Sequence, residues 1–121
     1  MAQILIVEDN EMNMRLFSDL LKSKGHDVLQ CLDGKKALDM VVEHHPDLVL
    51  MDIQMPEISG LDVTALIRRT PEVKDTKIVA VTAFAMKGDE QKIIDGGCNG
   101  YIAKPISVAS FLSTVEDFLQ R

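Results

Sequence analysis

The sequence predicts an α/β fold, a (βα)5 doubly wound parallel sheet of five strands with helices on both faces. Three observations lead there. Short apolar runs recur at regular intervals, helix-period segments separate them, and three of the runs are continuous rather than alternating. Continuous apolar runs are what strands covered on both faces require. Right-handed crossovers then leave few ways to connect the units.

The strand runs are Ile4-Leu5-Ile6-Val7, Val28-Leu29-Gln30-Cys31, Leu48-Val49-Leu50-Met51, Ile78-Val79-Ala80-Val81 and Tyr101-Ile102-Ala103. The second is weaker and the last is very short, which suits flanking positions. In the first helix Met12, Leu16, Phe17, Leu20 and Leu21 fall on one stripe, and Gly25 supplies a stop. Ala37, Leu38, Val41 and Val42 make the second, which ends before Pro46. Ser59 with Asp62 resembles a capping box that opens the third, carrying Val63, Leu66 and Ile67. The fourth, from about Gly88 to Asp95, is the weakest pattern, with Ile93 and Ile94 its main apolar pair and Gly96-Gly97 its end. Val108, Phe111, Leu112, Val115, Phe118 and Leu119 give the last a clear 3.6-residue period.

A chain of 121 residues suits one domain and buries roughly two-thirds of its unfolded surface, so it needs no disulfide or structural metal to fold. With four Phe, one Tyr and no Trp, the core has to be aliphatic and filled out by Met. A formal net charge of −6 argues against nucleic-acid binding, which needs a basic face. Cys31 and Cys98 lie far apart without CxxC spacing and read as reduced, buried thiols of a cytoplasmic protein. Met1-Ala2-Gln3 enters an apolar strand with no basic leader, and no apolar stretch approaches about 18 residues, so neither secretion nor membrane insertion is expected.

Function in such a sheet collects at the carboxyl ends of the strands. Glu8-Asp9 follow the first strand, Asp52 the third, Thr82-Ala83 the fourth and Lys104-Pro105 the fifth. Three carboxylates, a hydroxyl and an amine therefore converge on one edge. Carboxylates held together cannot all stay ionised without a counterion. A hard cation such as Mg²⁺ suits them, and no His or Cys is placed for zinc. A carboxylate can attack phosphorus to give an acyl phosphate. Lys104 would neutralise charge on the transferring group and Thr82 would donate a hydrogen bond to it, with the small Ala83 leaving room. His44-His45 near Asp47 reads more simply as a helix end that favours the dipole than as a metal site.

Taken together, Ile4-Leu5-Ile6-Val7-Glu8-Asp9-Asn10, Leu50-Met51-Asp52-Ile53-Gln54-Met55-Pro56 with Gly60, Val81-Thr82-Ala83 and Tyr101-Ile102-Ala103-Lys104-Pro105 resemble response-regulator receiver domains over essentially the whole chain. The resemblance implies strand order 2-1-3-4-5 and one receiver domain over residues 1–121 with no output domain. It implies that Asp52 is the phosphoacceptor and that Asp9, Asp52 and the Gln54 backbone carbonyl bind Mg²⁺, for which Mn²⁺ can substitute, with Glu8 acting mainly through water. Lys104 would contact the phosphoryl group, and Thr82 with Tyr101 would form a switch pair. Many receivers have two aspartates where this chain has Glu8-Asp9, and the longer Glu8 still suits an outer role. The Lys104-Pro105 bond resembles the family's cis peptide.

The implied partners are a histidine kinase or histidine phosphotransfer protein and a downstream protein, met by a chain that is monomeric rather than dimeric. The start of the first helix, at Met12, Asn13 and Met14, is expected to dock the phosphohistidine-bearing helices, since Met adapts to varied surfaces. The face of the fourth helix, fifth strand and fifth helix is the output surface by resemblance. A narrower likeness lies in the run from Val81 to Glu90, in Gly96-Gly97-Cys98 and in Lys104-Pro105-Ile106-Ser107, which resemble single-domain regulators of bacterial cell division. A phosphorylation-independent interaction module, or a receiver cut from a hybrid histidine kinase, stays open as an alternative. A turnover enzyme would need a cap to exclude water. A flavin or nucleotide binder would need aromatic walls or a phosphate-cradling loop, and this chain shows neither.

Overall fold

A computed structural model describes residues 2–83 and 89–121. Five parallel strands stand in the order β2-β1-β3-β4-β5. They are β1 (Gln3–Val7), β2 (Asp27–Cys31), β3 (Leu48–Asp52), β4 (Ile78–Thr82) and β5 (Gly100–Ala103). The helices are α1 (Glu11–Ser23), α2 (Ala37–His44), α3 (Gly60–Arg68), α4 (Asp89–Asp95) and α5 (Val108–Leu119). A 3₁₀ turn at Gly34–Lys36 leads into α2. The expected fold and strand order are both present. Gly88, the expected start of the fourth helix, and residues 84–87 of the quoted run lie outside the described residues.

Strand alternation divides the core in two. Ile4, Ile6, Leu48, Leu50, Val79 and Val81 face α1 and α5, where Phe17 and Phe111 stack with ring centroids 5.2 Å apart. Leu5, Val7, Val49, Met51, Ile78 and Ala80 face the other way, against Val41 of α2, Val63 and Ile67 of α3 and Ile93 of α4. Strands β3 and β4 are buried at every position, which is why their sequences run apolar without a break. Edge strand β2 is buried only at Cys31, which accounts for its weaker pattern.

One expected face is turned slightly. Met12 and Leu16 are exposed, and the buried stripe of α1 is Met14, Phe17, Ser18 and Leu21. Phe17 and Leu21 are buried as expected and Leu20 packs against the same cluster, so the period holds and only the Met12-Leu16 edge of the stripe gives way to Met14 and Ser18. Ser18 is admitted to the stripe because its hydroxyl accepts a hydrogen bond from Gln30 of β2 at 2.9 Å.

The helix ends follow their local chemistry. The Asn10 side chain caps α1 by accepting the Asn13 N–H at 2.9 Å. Gly25, at φ 85°, ends α1 with its N–H on the Lys22 carbonyl and the His26 N–H on the Leu21 carbonyl. Gly97, at φ 108°, repeats that paired closure on α4, using the Ile94 and Ile93 carbonyls. Ser59 does cap α3, its hydroxyl accepting from the Leu61 N–H at 3.1 Å. Behind the sheet, Arg68 donates to the carbonyls of Lys74, Thr76 and Gly97 and to the Asn99 side chain, lacing the end of α3 to the turns before β4 and β5. Burial pushes its guanidinium pKa down.

Gly100 of β5 lies directly against Phe118 of α5. A Cβ there would sit 2.3 Å from the Phe118 ring. Gly100→Ala should therefore cost about 2 kcal/mol in urea unfolding, and Phe118→Leu in the same chain should return part of it. An unchanged urea midpoint for Gly100→Ala would show that the ring has room to retreat.

Candidate functional site

Register decides which side chains meet. Val7 is paired with Met51, so the next residue on each strand brings Glu8 beside Asp52. Asp52 is paired with Val81, so Thr82 comes one step further along β4, and Thr82 is paired with Ala103, which sends Lys104 out over the same edge. The Lys104 N–H donates to the Thr82 carbonyl at 2.8 Å, and the Lys104-Pro105 peptide is cis. Glu8, Asp52 and Thr82 are almost fully buried, whereas Asp9 is exposed.

Oxygens of Glu8, Asp9 and Asp52 all lie within 4.8 Å of one another. Lys104 Nζ reaches Glu8 Oε1 at 3.2 Å and Asp52 Oδ1 at 3.5 Å. Two backbone donors help hold the buried carboxylates. The Asn10 N–H donates to Glu8 Oε2 and the Gln54 N–H to Asp52 Oδ1, each at 3.1 Å. Sequence reasoning missed the Asn10 amide, whose only signal is its place at the turn into α1. With every carboxylate ionised and Lys104 protonated, two negative charges remain uncompensated. Burial above all, then the hydrogen bond and like charge of Glu8, push the Asp52 pKa up to about 7, against the Gln54 N–H and Lys104.

An all-oxygen donor set with an excess charge of two fits a hard divalent cation of the Mg²⁺ kind. Thr82 and Tyr101 share one face of the sheet, because Tyr101 is paired with Ala80, two residues before Thr82. A hydrogen bond to Glu90 at the start of α4 pushes the Tyr101 pKa up. Exposed Met12 stands apart from the half-buried Asn13 and the buried Met14, so of the expected docking trio only the first offers its full side chain. His44 lies 3.6 Å from Glu43, and His45 closes α2 in the left-handed region at φ 47°, so both belong to the helix end.

Residues 4–116 match the response regulator receiver domain family, and the chain belongs to that family. Among individual proteins, it is 53% identical to the polar-differentiation response regulator DivK of Brucella ovis, over 96% of this chain and 94% of that protein. The DivK of Brucella anthropi is 52% identical over the same shares. The receiver domain of the sensor histidine kinase PA1611 from Pseudomonas aeruginosa PAO1, solved with a magnesium ion coordinated in its active site cleft, is 31% identical. It superposes with a TM-score of 0.90, covering 99% of this chain and 98% of that one. Chemotaxis protein CheY4 of Vibrio cholerae, 25% identical, gives 0.91 over 98% of both chains. Among the described residues, no helix is long and apolar enough to cross a membrane.

The raised Asp52 pKa has a direct consequence for stability. Folded Asp52 keeps its proton up to about 7, while the unfolded side chain releases it near 3.8. The unfolded chain thus binds fewer protons in that window, and stability falls as pH rises through it. In EDTA at pH 8, Asp52→Asn should melt about 3–8 °C above the parent and should flatten this slope. Equal melting curves from pH 4 to pH 8 would mean that carboxylate crowding does not govern the site.

Proposed function

We propose that the chain is a phosphorylation switch in which Asp52 takes a phosphoryl group from the phosphohistidine of a histidine kinase or histidine phosphotransfer protein. The observation that carries this reading is the buried Asp52 carboxylate, bonded by Gln54 N–H and Lys104 and crowded by Glu8 and Asp9. An Asp52 carboxylate oxygen attacks phosphorus, the new O–P bond replaces the N–P bond, and the imidazole keeps the electron pair. Lys104, within reach of Asp52, pairs with a phosphoryl oxygen as charge builds up, and the Thr82 hydroxyl donates to another.

Glu8, Asp9, Asp52 and the Gln54 carbonyl would hold Mg²⁺ or Mn²⁺, Glu8 mainly through water. When bound, the ion would offset the charge brought in by the phosphoryl group. Phosphorylation adds roughly two negative charges to an edge that already has an excess of them. Thr82 and Tyr101, on one face of β4 and β5, are suited to pass the change to α4 through Glu90. The protein then acts as a stoichiometric acceptor that switches a downstream partner, rather than as a turnover enzyme. Similarity to DivK over 94% of that protein's length supports a role in bacterial cell-division control. We place the chain in the cytoplasm, where phosphohistidine donors are made, and read it as a monomer.

Intact-mass spectrometry after incubation with a small-molecule phosphodonor tests the chemistry. A single phosphoryl adduct should form in Mg²⁺, disappear in EDTA and be absent from Asp52→Asn. Lys104→Ala should slow adduct formation by about 10²-fold or more. An adduct that survives in Asp52→Asn would move the acceptor elsewhere and overturn the assignment.

A further inference from the structure

The loop after Asp52, residues 53–59, is fixed at two places. On the inner side, the Gly60 N–H donates to the Ile53 carbonyl at 3.0 Å, and the Ser59 hydroxyl donates to the same oxygen at 3.3 Å. A Cβ on Gly60 would lie 2.2 Å from the Asp52 carbonyl oxygen, so α3 abuts the end of β3 only because that side chain is missing. On the outer side the loop rests on the Gly34–Lys36 turn, which comes from a different β-α unit. A Cβ on Gly34 would lie 2.8 Å from Met55 Cε and 2.9 Å from Ile58 Cγ2. Lys35 pairs with Glu57 at the same junction, and Glu57 takes the left-handed conformation at φ 70°. Asp33 steadies the turn from below by accepting the Lys35 N–H at 3.0 Å. A cavity of about 200 Å³, lined by Asp9 together with Gly34, Lys35, Met55 and Glu57, joins this junction to the acidic cluster.

We propose that the Gly34–Lys36 turn is a seat that sets where the 53–59 loop lies, which makes Gly34 and Met55 positioning residues for divalent-cation binding at Glu8, Asp9 and Asp52. The inference rests on the metal-dependent reading above and deepens it. Two residues, Ile53 and Gln54, separate Met55 from Asp52, and the amide of Gln54, the direct neighbour of Met55, holds Asp52 Oδ1. A displacement of Met55 is therefore passed through its neighbour Gln54 to the carboxylate that would bind the ion. Groups that orient a ligand without touching the metal commonly govern its affinity. A methyl group at position 34 has two neighbours to displace. The Met55 tip is flexible, but Ile58 is β-branched and stiff, so part of the displacement falls on the loop backbone.

The test is a Mg²⁺ titration read by the amide NMR shifts of Asp52 and Gln54, alongside thermal melting, for the parent, Gly34→Ala, Met55→Ala and the double variant. Gly34→Ala and Met55→Ala should each weaken Mg²⁺ binding by about 10-fold while the far-ultraviolet spectrum is unchanged. The double variant should bind no worse than the weaker single one, since both changes disturb one contact. A role in stability alone would lower the melting temperature and leave the dissociation constant within about twofold of the parent, and that result overturns the proposal. Should Gly34→Ala fail to fold, Met55→Ala carries the same two outcomes. A parent that shows no response to Mg²⁺ overturns the metal-dependent reading itself, whereas tight parent binding with unmoved variants overturns only the seat.

Discussion

Two carboxylates, Glu8 and Asp52, are buried at the end of a sheet and share the Lys104 ammonium, and the rest of the edge is arranged around that strain. A buried carboxylate is tolerated only when hydrogen bonds or an opposite charge hold it. Here Lys104 and two backbone amides do part of that task, and the remainder appears as a raised Asp52 pKa. The pocket is thus held short of electrostatic balance. Such a site favours a cation, and it holds a carboxyl group whose protonation responds to its neighbours near neutral pH.

Holding the carboxylates in that position calls for a rigid frame, which the parallel register provides. Because Val7 lies opposite Met51, and Asp52 opposite Val81, the functional side chains leave the sheet within one residue of each other. Both faces are sealed by separate apolar clusters, so the strands cannot slip without exposing a whole row of side chains. Glycines at three places let backbone or ring approach where any side chain would intrude: Gly34 beneath Met55, Gly60 against Asp52 and Gly100 against Phe118. Two of these bear on the loop beside the acidic cluster, so its shape depends as much on missing atoms as on present ones.

Much of this could be read from the amino acids. Buried strands such as Leu48–Asp52 are legible because coverage on both faces makes them continuously apolar. The five positions after the strand ends are legible because a parallel sheet gathers them on one edge. The edge of the α1 stripe was not legible, since Met12 and Leu16 are as apolar as the residues that are buried. Only packing against β2, where Ser18 meets Gln30, selects the face. Nor could the anchoring of the loops be seen. Arg68 reaches residues up to 31 positions away, and Gly34 meets Met55 across a whole β-α unit. Contacts of that kind arise from the assembled surface and leave no periodic trace.

The cluster joins residues that are far apart along the chain, with Lys104 lying 96 residues from Glu8 and 52 from Asp52. During synthesis the carboxylates emerge first and Lys104, which pairs with two of them, last. Until β5 adds to the sheet, the acidic edge lacks the Lys104 ammonium that pairs with Glu8 and Asp52. The order of residues along the chain thus sets an order of assembly, in which the acidic edge gains the Lys104 ammonium only when the last strand is in place.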